Sequence, residues 1–216
     1  RELLDSQIKE GIYVTDPDPA YYLYELTMDG RSQTGIVACC AVDDYINGVI
    51  KKHENTREDK EQDRIRHVDA TNAHTGPIFL AYRRQEELKR LVEQAKKEKA
   101  LYDFVSEDGI RHRVWKIGDP GMVKAVEEAF EKLPAAYIAD GHHRAASAVK
   151  AGLKRRQEKP DYTGKEPFNY FLSVLFPDDE LMILPYNRVV KDLNGLEKEG
   201  FLKKAEEKFE IHLMGK

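Results

Sequence analysis

The chain has two cysteines among 216 residues, one tryptophan, and no apolar run near the ~20 residues that cross a bilayer. Cys39 and Cys40 are neighbours, so in a strand their side chains point to opposite faces and do not bridge. A disulfide framework is excluded, and two buried, reduced thiols in a reducing cytoplasm are the expectation. No signal peptide is visible, although a chain opening on Arg1 rather than Met leaves room for one upstream. An excess of positive charge is missing too: 35 Lys and Arg face 39 Asp and Glu, a net charge of −4. That balance argues against a dedicated DNA-coating protein and leaves only local patches for nucleic acid.

The common phosphate and metal motifs are absent. No G-x-x-x-x-G-K-[ST] occurs; Thr163-Gly164-Lys165-Glu166 lacks both the upstream glycine and the following hydroxyl. No G-x-G-x-x-G follows a strand, so a Rossmann site is unsupported. His53-Glu54 is followed by Asn55-Thr56-Arg57, without the second histidine of H-E-x-x-H, and adjacent His142 and His143 lack the i, i+4 spacing of a zinc-binding helix. No metal-ligand set is read from the sequence.

What is present alternates between helical and strand periodicity. Glu2 to Lys9 reads as a helix stopping at Gly11. Tyr21 to Met28 and Thr34 to Val42 read as a hairpin across Asp29-Gly30. A short helix is expected from Asp43 to Lys52, a charged one from Thr56 to about Ala70, and a strand from Pro77 to Tyr82. Arg84 to Glu98 places Leu88, Leu91, Val92 and Ala95 on one helical face. A second hairpin, Leu101 to Val105 and Ile110 to Ile117, turns at Asp108-Gly109, and a helix covers Gly121 to Lys132. A polar loop from Arg155 to Pro167 precedes a third hairpin, Asn169 to Phe176 and Glu180 to Leu184. The end, Glu197 to Lys208 and Phe209 to Leu213, reads as helix and strand. Hairpins mixed with helices predict an α+β fold with a mixed sheet rather than a doubly wound parallel one. The chain reads as one α+β region excised from something longer, or as two lobes, 1–100 and 101–216.

The segment richest in chemistry is Tyr137-Ile138-Ala139-Asp140-Gly141-His142-His143-Arg144-Ala145-Ala146-Ser147-Ala148. Its apolar lead-in reads as a buried strand and its Ala-rich continuation as a helix. The first turn of a helix leaves backbone N–H groups unpartnered at the positive end of the dipole, and an anion, typically phosphate, suits it. Gly141 lets the backbone approach closely, Arg144 offers a planar donor fork, and His142 and His143 add adjustable donors. The plain alternative has Asp140 capping the helix, Gly141 turning, and the rest as surface. Against it, three potentially cationic side chains at one helix start oppose the dipole unless an anion compensates.

A second candidate begins at His53-Glu54. Asn55 or Thr56 is placed to cap the following helix, with Glu58 or Asp59 closing a capping box. Helical spacing aligns Arg57, Lys60, Arg64 and His67, which suits either a phosphate-gripping stripe or a solvated face of ion pairs. Glu54, just outside the helix, is a candidate general base. The small polar loop Thr71 to Gly76, with His74 and Thr75, is placed to return to the same site.

Asp140 to Ala148, with His53-Glu54-Asn55-Thr56-Arg57 upstream and Tyr186-Asn187-Arg188-Val189-Val190 downstream, resembles a ParB-related family catalogued as domain-of-unknown-function family 1015. The resemblance spans most of the chain. It implies a ParB/sulfiredoxin-like fold, in a superfamily that includes ParB partition proteins, sulfiredoxin and kinases of free serine, and that binds nucleotide at a strand-turn-helix of this type. By that resemblance Gly141, His142, His143 and Arg144 match the phosphate-binding turn, and Asp140 matches an acid preceding it in the serine kinases. Sulfiredoxin's reactive cysteine and ParB's helix-turn-helix have no counterpart. The resulting expectation is a cytoplasmic phosphotransferase or phosphohydrolase that binds ADP or ATP with Mg²⁺ and acts on a small hydroxyl-bearing metabolite. Asp140, Glu54 and Arg144 would be catalytic, and Gly141, His142, His143, Arg144, Arg57 and Arg64 would hold phosphate. Two alternatives stay open: a ParB-like nucleotide-gated binding module without turnover, and a nucleic-acid binder using the Arg57 to His67 stripe.

Overall fold

A single row of apolar residues explains why eight short strands form one sheet. Trp115, Leu23, Ile36, Leu175, Leu80 and Ile138 stand opposite one another across five successive strand pairs, and all six are buried. Because side chains alternate along a strand, that row aligns the register of every strand it crosses. The computed structural model describes residues 1–212 and divides the chain into two compact units, Arg1–Leu181 and Met182–Lys216.

In the first unit the elements run α1 (Glu2–Lys9), β1 (Tyr21–Met28), β2 (Arg31–Ala41), α2 (Val42–Ile46), β3 (Ile50–Lys51), α3 (Glu58–Thr71), β4 (Ile78–Tyr82), α4 (Glu86–Ala95), β5 (Tyr102–Val105), β6 (Arg111–Ile117), α5 (Pro120–Glu131), β7 (Ala136–Asp140), α6 (His142–Glu158) and β8 (Tyr170–Pro177). The strand order is β3-β7-β4-β8-β2-β1-β6-β5. The β3–β7 and β4–β8 pairs are parallel and the others antiparallel, so the fold is α+β with a mixed sheet, as expected. Strands from both sides of residue 100 are intermixed within it. In the second unit, α7 spans Lys198–Glu206.

The Asp29-Gly30 and Asp108-Gly109 turns form where expected, each with glycine at positive φ. The apolar stripe of α4 buries Leu88, Val92 and Ala95, and Tyr82 meets Phe130 of α5 edge-on at 5.6 Å.

Several expectations are corrected. The helix expected from Asp43 to Lys52 ends at Ile46; Gly48 turns at φ 75°, and Ile50 is buried as β3 beside Ala136 of β7. The third hairpin does not exist. β8 pairs with β2 on one edge and β4 on the other, so no edge is left for Glu180 to Leu184, and Asp178–Glu180 is a short 3-10 turn. Residues 209–212 form no strand, and Leu213 of that expected strand lies outside the described residues.

α6 runs through the expected polar loop start to Glu158. Arg155 reaches Asn72, and Arg156 grips Asp43 with two bonds of 2.7 and 2.9 Å, so the basic last turn has both the dipole and partners in its favour. The capping box is absent: Arg57 is the N-cap of α3 without a side-chain cap, and the Thr56 hydroxyl donates instead to buried Glu61. Cys39 is exposed rather than buried; Cys40 is half-buried, and burial pushes its thiol up to about 12.

Candidate functional site

The site is set by how β7 ends. Phe79 stands opposite Asp140 while Leu80 stands opposite Ile138, so β7 carries Ala139 as an extra, unpaired residue. Such a bulge twists the strand and re-aims the residues after it. Here Gly141 comes next at φ 92°, and α6 starts at once. A side chain at Gly141 would be strained by that backbone, and its Cβ would lie 3.1 Å from two guanidinium nitrogens of Arg144.

No side chain caps α6, and its first turn contains no acid, whereas α5 is capped by Asp119 and α1, α2, α3, α4 and α7 carry acids there. The strand-turn-helix expected from the sequence is thus formed, with no acid in the first turn of its helix.

Arg144 does not extend into solvent. Its Nη2 donates to Asp140 Oδ2 at 2.7 Å, and its Nη1 donates to the Pro77 carbonyl. The guanidinium lies folded over Gly141, tying the end of β7 to the start of β4. The Thr71 to Gly76 loop does come back here: a Cβ on Gly76 would lie 3.4 Å from Arg144 Nη1.

The two histidines differ. His142 is 5 % exposed and turns inward, meeting His53 edge-on at 4.5 Å, with Nδ1 3.4 Å from Glu54 Oε2. Burial, followed by the nearby His53, lowers its pKa, so the ring is neutral at pH 7, and its Nε2 is buried without a partner. His143 accepts at Nε2 from the Arg57 backbone N–H at 3.2 Å. It is therefore the Arg57 main chain that joins the site; the Arg57 side chain pairs with Asp59.

Glu54, Arg64, Asp140, Gly141, His142, His143 and Arg144 surround one cavity of about 230 Å³. A second cavity of about 400 Å³ adjoins it, sharing Arg64 and Arg144, and His67, His74 and Thr75 stand on its wall. His67 and Thr75 are hydrogen-bonded at 2.9 Å. Of the expected phosphate and catalytic residues, only the Arg57 side chain stands outside the first cavity. The expected stripe of Arg57, Lys60, Arg64 and His67 is divided: Arg57 pairs with Asp59, whereas Arg64 and His67 stand on cavity walls. Arg188, in the second unit, lies over the Tyr186 ring.

Three participants had no role assigned from the sequence. His53 packs on His142. The Pro77 carbonyl holds Arg144. Ser147, buried one turn after His143, donates to the His143 carbonyl at 2.6 Å and lies 3.1 Å from the Glu61 carbonyl, fastening α6 to α3. The i, i+4 spacing of His143 and Ser147 was the available signal for the last.

Among the described residues no group of three or more His, Cys, Asp and Glu is arranged to hold a metal ion. Two carboxylates, Asp140 and Glu54, do line the first cavity. Mg²⁺ keeps most of its waters and takes one or two carboxylates alongside substrate phosphates, so this donor set fits an ion arriving with a nucleotide. No helix among the described residues is long and apolar enough to cross a membrane. No curated protein and no solved structure matches the chain. Its sequence does match, over residues 1–215, the family described as Protein of unknown function (DUF1015), and the chain belongs to that family.

Proposed function

We propose that the start of α6 binds the phosphates of ADP or ATP, and that the protein transfers or hydrolyses a phosphoryl group on a small hydroxyl-bearing metabolite. The observation that carries this reading is the uncapped, acid-free first turn of α6 opening on a cavity walled by Arg64 and Arg144. A ParB/sulfiredoxin-like ancestry, as the motif resemblance implies, is consistent with that placement.

In this reading the amides of Gly141 to His143 cradle the phosphates. Arg144 exchanges Asp140 and the Pro77 carbonyl for phosphate oxygens, gaining bidentate contacts to a doubly charged group. The exchange releases Asp140. Asp140 would hold Mg²⁺, which supplies charge neutralisation on the phosphates when bound. Glu54, anchored beside neutral His142, is the group placed to take the proton of an acceptor hydroxyl. Arg144 and Arg64 then oppose the negative charge that builds on the transferring group, and catalysis consists of positioning and electrostatics. The adjoining cavity, past Arg64 and Arg144, takes the remainder of the nucleotide or the acceptor.

The test is thermal unfolding with ADP, ATP, CTP and inorganic phosphate, each with Mg²⁺. A true ligand at a hundred times its dissociation constant stabilises by about 2.7 kcal/mol, and Arg144→Ala should weaken it at least about tenfold. No shift with any of the four, or equal affinity in Arg144→Ala, would overturn the reading. The Asp140–Arg144 pair also favours a second version. A latch that a nucleotide opens is what a ParB-like gated module needs, and binding without any new phosphorus resonance over hours would select it.

A further inference from the structure

We infer a second binding site, for an amine carried on an apolar body, in a cavity that shares no lining residue with those at α6. It is the larger one, at about 630 Å³, and lies between β2, β3 and the C-terminal half of α5. That volume falls within the range of small-molecule sites.

Its charge differs from that of the first site, where two guanidiniums face two carboxylates. Asp44, Glu127 and Glu131 supply three carboxylates, and no Lys, Arg or His lines it. Tyr21, Phe130 and Tyr170 supply three aromatic rings, and most of the remaining wall is apolar. Carboxylates pair with a cation and aromatic rings attract one, and the apolar wall recognises what the cation is attached to.

The carboxylates are also available. Neighbouring acids are spoken for: Asp43 by Arg156, Glu128 by Lys124 and Glu87 by Lys132. Among the described residues none of the three cavity acids is in an ion pair. The Tyr21 hydroxyl donates to exposed Glu127 at 3.4 Å, a contact without a counter-ion. Burial, followed by the charge of Asp43, raises the Asp44 carboxyl, as expected for an acid that lacks a counter-ion. Burial raises the Cys40 thiol, so it adds no further negative charge to this wall.

NMR titration of the 216-residue chain at pH 7.5 with hexylamine, hexan-1-ol and hexanoate tests the site. These share one apolar body and differ in charge. Hexylamine should bind about tenfold tighter than the alcohol, and hexanoate weaker than either, because only the amine gains carboxylate and ring contacts. Asp44→Asn combined with Glu127→Gln should bring the amine to the alcohol's affinity. Ala38→Leu, which fills the wall, should weaken both. Glu131→Gln, at an exposed position, gives a partial loss of amine preference if the double variant does not fold. Equal binding of amine and alcohol to the wild-type chain, or an amine preference unaltered by removing the carboxylates, would overturn the inference.

Discussion

Two ion-pair clusters in this protein use the same residue types under opposite conditions. Glu25 is 1 % exposed, reached by Lys96 at 2.5 Å, by Arg113, and by the Thr34 hydroxyl at 3.0 Å. Both cations also lie over the Trp115 ring. Asp140 and Arg144 meet at 2.7 Å, but their side chains are 73 % and 37 % exposed. A buried charge that loses its partners has nowhere to go, whereas an exposed one exchanges its partner for water or a ligand. The first cluster therefore holds the sheet, and the second is free to act as a latch.

The largest effect that would break this comparison is on stability. Glu25→Ala strands Arg113 and Lys96 beside Trp115 and should cost about 3 kcal/mol, read by urea unfolding. Gly152→Ala comes next. A Cβ there would lie 2.5 Å from the Phe168 carbonyl oxygen, a backbone atom that cannot swing aside, so about 2 kcal/mol should be lost to overpacking.

Acid should expose the same contrast. Burial alone would raise the Glu25 carboxyl, but hydrogen bonds from Lys96, Arg113 and Thr34 outweigh it and hold it below 4.5. Glu166, held mainly by the Thr163 backbone N–H, is lowered from 4.5 to about 2. A carboxyl lowered on folding contributes stability above its unfolded pKa and loses it as pH falls through the folded one. The melting temperature should therefore decline from about pH 4.5 towards pH 2, and Glu25→Gln should flatten that decline. A decline unchanged in Glu25→Gln would mean that Glu25 is not what acid releases.

The smallest stability effect belongs to the exposed pair. Asp140→Asn should alter unfolding by less than about 1 kcal/mol. It should also tighten inorganic phosphate binding, measured by calorimetry, because Arg144 loses its competitor. Should Asp140→Asn destabilise as much as Glu25→Ala, the pair is structural and the latch is wrong.

Some of this was legible in short segments. The α4 stripe, the two Asp-Gly turns and the strand-turn-helix at Asp140 depend on residues within a few positions of each other. Hydrophobic period, positive φ at glycine and alanine's helix preference act over that range. The candidate residues Glu54, Arg64 and Asp140 to Arg144 were named from such local signals. Their assembly was not legible, because Glu54 and Arg64 reach α6 only through the packing of α3 on α6. The inward turn of His142 onto His53 was equally hidden, since it depends on which of two adjacent histidines the packed helix buries.

By itself the sequence determined an α+β chain with its main turns, and a helix whose first turn holds no acid. Tertiary structure decided that β8 is flanked on both edges, that Ile50 is a strand residue, that Arg144 is folded onto Asp140, and that guanidiniums line the cavities at α6 while the cavity beside α5 has carboxylates alone. Local conformation follows from each residue's own sterics and hydrogen bonding. Strand partners and cavity walls come from residues tens of positions apart, and only the packed core brings those together.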